Sequence, residues 1–400
     1  MINMFNCDVL IAGAGASGST ASLMLSKSGY NVITVEKSVN IGGSTDHKID
    51  VTESELPDGS NLEQILKELQ IEPYEKFNVS RWYSRNESFT LKPNVYDYYF
   101  KRGTSERSLE CQLMKKAIEK GCKFFSNTEV KKFDFRNGDI KEVTLNKKGK
   151  KITIKPKIIL GADGSYSICR KLSSIKEIKS NHLEGFGIRF KNHDFKDMEV
   201  VFDSEFAPGG YIYCGSVKNE GIVAIMIDKL STKKSSREIF ELNKRKNSYF
   251  KKFENVEFLN YFGGVEKYGI VKDVTKGNLL LVGGAGLLIN PFMGYGVNYA
   301  IKSGYEASIV ISKNLSKEKS LNEYQEFHNK NFLSYFNNAN KSRNIFKKLN
   351  NRDLDFIIRS LGKITEKNIE GLAALVESFK AKPTSINALR ALYRFSKILY

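Results

Sequence analysis

Long apolar runs are missing from this 400-residue sequence. No stretch of about 18 hydrophobic residues occurs, so no segment is expected to cross a bilayer as a helix. Cysteine is sparse: Cys7, Cys111, Cys122, Cys169 and Cys214 are scattered, with no CxxC pair and no histidines at zinc spacing. That argues against a disulfide scaffold or a zinc module and for reduced thiols in the cytoplasm. Acidic residues are in deficit, 45 Asp and Glu against 63 Lys and Arg, which leaves a formal charge of +18. The excess favours anionic partners, whether phosphate-bearing molecules, nucleic acid or an acidic lipid surface, and it equally describes solvated surface lysines. No nucleic-acid-binding module accompanies it, so nucleic acid is not expected as a partner. The opening residues MINMFNCDVLIAGAG have no basic segment followed by an apolar stretch, so export is not expected either.

What is present is core-forming material, 41% hydrophobic and 12% aromatic, over a length that suggests two domains. The apolar run CDVLIA (7–12), the turn GAGASG (13–18), a helically spaced segment and the run NVITVE (31–36) read as strand, glycine turn, helix and strand. Residues 41–80 are polar and rich in turn formers. A helical pattern from Arg107 ends at Gly121, and short strands around RNGD and NKKGKK lead to KIILGADG. GYIYCGSVKNEGIVAIMID (210–228) reads as a hairpin closed at KNEG. NLLLVGGAG resumes strand character and passes through NPFMGYG into a helix over 297–313, after which the chain is mainly helical.

The first chemical motif is Gly13-x-Gly15-x-x-Gly18, with Ala16 and Ser17 at the helix start. Glycines between a strand and a helix let the backbone approach a pyrophosphate, which then meets the free amides of the helix. Glu36, with Lys37 beside it, ends the next strand, where an acid can accept from ribose hydroxyls.

GADGSYSICR (161–170) resembles the GADGxxSxxR fingerprint of para-hydroxybenzoate hydroxylase-type flavoproteins and geranylgeranyl reductases. GGAGLLINPFMGYGVNYA (283–300) resembles their third flavin motif, with Gly283, Pro291, Gly294 and Gly296 in register. The resemblance spans residues 7 to 312 and implies an FAD site: Asp163 and Gly164 in the second motif, and Gly294, Gly296 and Val297 facing the flavin in the third. It adds Arg107 on the FAD side, Val130 at the adenine, and backbone contacts from Gly43 and Ser44. The family's ribityl-binding aspartate is Gly284 here. One such hydrogen bond is worth about 1 kcal/mol, which implies looser FAD binding rather than none.

APGGYIYCG (207–215) is similar to the PxxYxWxFP substrate motif of the geranylgeranyl reductases, with Pro208 and Tyr211 matching, Tyr213 in place of tryptophan, and Gly215 and Ser216 in place of Phe-Pro. The chain therefore looks like a geranylgeranyl reductase-family member, related to the archaeal enzymes that saturate membrane lipids. This implies an α/β fold: a Rossmann-type FAD-binding domain (1–80, 101–180, 263–330), an antiparallel β-rich substrate domain (81–100, 181–262) and a helical region (331–400).

The implied activity is FAD-dependent hydrogenation of isoprenoid carbon-carbon double bonds. Electrons would come from NAD(P)H or a reduced, acidic ferredoxin-like protein. Lysines at the pocket mouth would hold the lipid headgroup, and the protein would be cytoplasmic, touching the acidic membrane face peripherally. For the proton only Tyr213 and His47 offer themselves. In the segment 384–400, Arg390, Arg394 and Lys397 share one helical face and Leu392, Phe395 and Leu399 the other, so that helix either lies on an acidic membrane or docks on the enzyme. Two alternatives stay open: a flavin monooxygenase or halogenase consuming O₂, and a non-enzymatic prenyl-lipid carrier.

Overall fold

The computed structural model describes residues 3–43, 48–367 and 385–399. Val9, Leu10 and Ile11 are all fully buried. A strand apolar on both faces belongs in the middle of a parallel sheet. The strand Asn3–Ala12 duly pairs in parallel with Val32–Val35 on one side and Lys150–Gly161 on the other. Lys123–Phe125 and Leu279–Leu281 extend the parallel core, and Thr275–Lys276 closes one edge. The antiparallel pair Thr128–Arg136 and Asp139–Lys147 hangs from Lys150–Gly161, completing eight strands.

The helix Ala16–Lys27 crosses between the first two strands and packs on the helix Val297–Leu315. Their approach is close enough that a Cβ on Gly304 would lie 2.2 Å from the Ser17 carbonyl oxygen, so only glycine fits there.

A second sheet of seven strands runs in the order Glu257–Val271, Glu177–Lys191, Glu220–Asp228, Tyr211–Val217, Met198–Val201, Ser80–Tyr83 and Ser88–Leu91. The expected hairpin is its centre, turning at Lys218, which has φ +55°. A third sheet joins Lys48–Thr52, Asp97–Arg102 and Glu75–Phe77, so the strand ending at Arg102 belongs with neither larger sheet. The supposedly irregular stretch 41–80 also holds the helix Leu62–Leu69, capped by Asn61 Oδ1 accepting from the Glu63 amide.

Among the described residues, after the short helix Asn322–Phe327, the C-terminal part holds the helices Ser334–Phe346, Asn351–Lys367 and Ile386–Leu399. The last of these docks, with Ala388, Ala391 and Leu392 buried among residues of the other two helices and the second sheet. This favours docking for its apolar side; Thr384 and Tyr400 and the side chains of Phe395, Lys397 and Leu399 lie outside the described residues. Helix Ser334–Phe346 is tied to the second sheet by a buried ion pair. Arg343 Nε donates to Asp228 Oδ2 at 2.9 Å, both side chains 0% exposed, and Tyr268 Oη donates to the same oxygen at 3.0 Å.

Candidate functional site

The three motifs meet at the carboxyl end of the parallel sheet. A Cβ on Gly13, where φ is +107°, would lie 2.4 Å from the Ala162 carbonyl oxygen, and one on Gly18 would lie 2.0 Å from the Gly13 carbonyl oxygen. These two glycines serve packing, seating the first motif on the second. Gly15 differs: no atom lies within 4 Å of a Cβ placed on it, and the same holds for Gly164. Both border a cavity of about 520 Å³, with Ala16, Ser17, Ala162 and Ser165 beside them. The helix Ala16–Lys27 starts here with no side chain capping it, which leaves first-turn amides free toward the cavity. The helix Val297–Leu315 also starts at the cavity without a side-chain cap at Gly296.

Asp163 does not face this space. Its Oδ1 accepts from Ser167 Oγ and its Oδ2 from the Ile168 and Cys169 amides at 2.7 and 3.0 Å, so it caps the helix Ile168–Leu172. Arg170 bridges the second and third motifs, donating to Ser165 O at 2.7 Å and Ala285 O at 2.6 Å. Gly284 lines the cavity, and a Cβ there would sit 2.8 Å from the Ser165 amide nitrogen. The second motif thus closes position 284 to any side chain unless the backbone of 164–165 yields.

The other expected residues divide. Gly294, Gly296 and Val297 line the cavity. Gly43 does not; its neighbour Gly42 does, forced to glycine by φ +83° and by the Gly103 carbonyl 2.0 Å from where its Cβ would stand. Ser44 and His47 lie outside the described residues. Arg107 is exposed and off the cavity. The arginine that lines it is Arg102, whose guanidinium donates to Asp50 Oδ2 at 2.6 Å and to Glu110. Glu36 lies off the cavity wall, its carboxylate accepting from the Ala14 and Ser38 amides, both at 2.9 Å. Its carbonyl accepts from the Thr128 amide, which brings the strand of Val130 to the same edge. Val130 is buried and Lys37 exposed, neither on the cavity wall.

Opposite the glycine motifs the cavity is apolar and aromatic. Trp82, Met226, Phe262 and Met293 line it together with Tyr211 and Tyr213. Tyr211 Oη donates to the Met293 carbonyl, locking the hairpin onto the third motif. Burial holds the Tyr213 hydroxyl well above its ordinary pKa, which makes it a poor acid. Pro208 is off the wall, its carbonyl accepting from the Asp228 amide at 3.2 Å. Gly215 has a packing reason: a Cβ there would meet Tyr99 Oη at 2.6 Å.

Five acidic residues that sequence reasoning passed over, Asp50, Glu53, Asp97, Glu110 and Glu266, also border the cavity. No local motif marks them; they converge only when the third sheet, the helix Leu109–Glu119 and the strand Glu257–Val271 come together. A shallower groove shares Gly185 and residues 262–265 with the cavity and opens outward. Arg237 lies over the Phe186 and Tyr261 rings in that groove, 5.8 Å from each centroid. No lysine lines either space among the described residues.

A family model described as "FAD binding domain" matches residues 6–330. The digeranylgeranylglycerophospholipid reductase of Methanosarcina acetivorans is 26% identical over 97% of this chain and 96% of its own. A second protein of that name from Methanosphaera stadtmanae is 26% identical over 98% and 100%. Among solved structures, a geranylgeranyl bacteriochlorophyll reductase-like protein from Thermoplasma acidophilum superposes with a TM-score of 0.77 at 18% identity, covering 100% of both chains. The myxobacterial chondrochloren halogenase superposes with a TM-score of 0.71 at 14% identity, over 99% of this chain and 97% of its own. These structural likenesses speak for the fold.

Proposed function

The chain belongs to the FAD binding domain family, and from that premise we propose that it is a reductase that hydrogenates carbon-carbon double bonds in the isoprenoid chains of membrane glycerophospholipids. The observation that carries the reading is the two-sided cavity: glycine motifs and free amides on one wall, Trp82, Tyr211, Tyr213, Met226, Phe262 and Met293 on the other. The glycine wall fits FAD on chemical grounds, because the open space over Gly15 and Gly164 admits a pyrophosphate against backbone N–H groups. When bound and reduced, FAD supplies the hydride that an alkene requires.

The chain's own part is to bind, orient and exclude. The aromatic and thioether wall offers an unsaturated hydrocarbon contact without hydrogen-bonding competition, and it keeps water from the reacting carbons. Arg170 and Tyr211 hold the second and third motifs and the hairpin in fixed relation, and Gly13 and Gly18 seat the first motif on the second, so the two walls keep their spacing. The relatives named for digeranylgeranylglycerophospholipid reduction support a lipid substrate here.

At the groove, Arg237 takes the headgroup role that lysines were expected to fill. Its guanidinium, lying over the stacked Phe186 and Tyr261 rings, meets the phosphate of a lipid whose chains pass into the cavity along the shared edge at Gly185 and residues 262–265. Arg237→Ala is expected to raise KM for an anionic isoprenoid glycerophospholipid about 10-fold while leaving kcat within about 2-fold, because one charge-assisted contact is worth about 1.5 kcal/mol. Steady-state kinetics on mixed micelles checks this; an unchanged KM places the headgroup elsewhere. The electrons come from NAD(P)H or an acidic ferredoxin-like donor, to which the net charge of +18 is suited, and the same charge favours peripheral contact with an acidic membrane face.

The test is product analysis. The FAD-loaded protein, chemically reduced under argon, is incubated with a geranylgeranylated glycerophospholipid. Mass spectrometry is expected to show hydrogens added in pairs to the chains. Unchanged lipid together with rapid O₂-dependent oxidation of NAD(P)H would instead favour a monooxygenase.

A further inference from the structure

A cluster of buried acids and phenols lies beside the third glycine motif, joined by hydrogen bonds between side chains. Glu53 borders the cavity just after the strand Lys48–Thr52. Tyr295, between Gly294 and Gly296, donates its hydroxyl to Glu53 Oε2. Behind Tyr295 the hydroxyl of Tyr299 lies at 3.4 Å and that of Tyr335 a further 3.0 Å on, while Asn290 Nδ2 donates to Tyr295 Oη at 3.1 Å and to Tyr335 Oη at 3.0 Å. Tyr335 is half-buried on the helix Ser334–Phe346. A carboxyl group in the reaction space is therefore joined to a line of buried hydroxyls that can each give and take a proton and that leads back to Tyr335, a residue itself only half-buried.

The geometry points to Glu53 as the acid that protonates the substrate alkene, refilled through Tyr295, Tyr299 and Tyr335; this rests on the reductase reading above. The π pair of the double bond takes the proton from the Glu53 carboxyl at one carbon, and hydride from the reduced cofactor forms the second C–H bond. The Glu53 carboxylate left behind recovers its proton from the Tyr295 hydroxyl as that oxygen takes one along the Tyr299 and Tyr335 hydroxyls. This concerted shift leaves no free phenolate, because burial holds these hydroxyls well above their ordinary pKa, and solvent restores the last proton at the half-buried Tyr335. One alkene, one hydride and one proton give one saturated bond, with the two electrons drawn from the reduced flavin.

Protonation suits the role. Burial first, and then the Asp97 charge, push the Glu53 carboxyl from its ordinary 4.5 up to about 8, so it carries a proton at neutral pH. The groups that face it are Asp97 on the neighbouring strand, Glu55 on its own loop, Tyr295 and Tyr299 at the following helix, Tyr335 behind them, and Tyr211 from the hairpin. Asp97 also borders the cavity but is raised only to about 6, and its Oδ1 accepts from the Ser54 amide at 3.0 Å. Two neighbouring carboxyls are thus split, one charged and one protonated, as an acid catalyst at neutral pH requires.

The experiment compares the FAD-loaded full-length protein with Glu53→Gln, whose amide oxygen can still accept from Tyr295. Infrared difference spectra of the oxidised protein without lipid are expected to show a protonated-carboxyl stretch at pH 7 that disappears in Glu53→Gln and titrates away through about pH 8. In anaerobic single turnover, Glu53→Gln is expected to keep the flavin spectrum and to be reduced normally, with reoxidation by a geranylgeranylated glycerophospholipid slowed about 100-fold or more. The wild-type rate is expected to fall as pH rises through the same range, a measurement that stands even where the variant fails to fold. Wild-type turnover with an unimpaired Glu53→Gln, or the lack of a protonated carboxyl at pH 7, overturns the donor role alone. A wild type that the lipid does not reoxidise overturns the reductase reading and the donor role together.

Discussion

Gly15→Val is expected to yield a folded protein that purifies colourless. The residue has φ −74°, which any side chain adopts, and nothing stands within 4 Å of an added Cβ. The Cβ of a side chain there meets no protein atom and enters the space over the first helix amides. Flavin retention is expected to fall about 100-fold or more, a loss near 3 kcal/mol. Thermal unfolding should shift by no more than a few degrees, since a valine in place of glycine at a helix N-cap costs only about 1 kcal/mol. The comparison is Gly13→Val, where the Ala162 carbonyl at 2.4 Å forbids a side chain and misfolding is expected instead. Flavin absorbance near 450 nm, read against the near-ultraviolet circular dichroism of the same sample, separates the two outcomes. A yellow Gly15→Val protein would mean that the open space over Gly15 is not the cofactor's.

Arg343→Met is expected to destabilise the protein by about 3–5 kcal/mol, because it strands Asp228 as an uncompensated charge in the interior. Arg343 and Asp228 are both 0% exposed, and Arg343 also donates to the Phe292 carbonyl at 3.3 Å. The pair therefore holds a C-terminal helix, the hairpin and the third glycine motif at one point. Chemical denaturation gives the magnitude through the midpoint at constant slope. The double variant Arg343→Met/Asp228→Asn is expected to recover part of the loss, since it removes the second charge as well. If it recovers nothing, the cost lies in packing rather than in charge. Loosening of the 290–293 loop should also reach the active cavity, because Met293 lines it and its carbonyl accepts from Tyr211.

The parallel core was legible because its strands are apolar on both faces and its turns carry glycines at fixed spacing. CDVLIA, KIILGADG and NLLLVGGAG need no partner to be read, and each lies in a strand of the first sheet, the first of which starts earlier than read, at Asn3. The hairpin 211–228 was equally clear from its alternation and turn. The helix Leu62–Leu69 was missed although Leu62, Ile65, Leu66 and Leu69 repeat at helical spacing and are all buried. Eight residues between polar turns drew attention to the turns.

The site was legible only where backbone makes it. Glycines announce a close approach of main chain, whereas Arg102 and Asp97, on a short strand of the third sheet, and Glu53, just past another, are ordinary residues that no periodicity isolates. Arg107 stood nearer the expected helix start, but it falls on the solvent side, and the strand Asp97–Arg102 delivers its own terminal arginine to the cavity. Asp163 illustrates the reverse case. Its motif was read correctly, yet its carboxylate is consumed in capping a five-residue helix, and backbone at Gly164 and Ser165 faces the cavity instead.

The central claim is that the two walls of this cavity bring a reduced flavin and an isoprenoid alkene together. Stopped-flow absorbance tests it most directly: the FAD-loaded protein is reduced anaerobically and mixed with a geranylgeranylated glycerophospholipid. The oxidised flavin band is expected to return near 450 nm at a rate that saturates with lipid, and a fully saturated lipid of the same headgroup should leave the flavin reduced. A flavin that stays reduced with the unsaturated lipid and is reoxidised only on admitting O₂ would contradict the account.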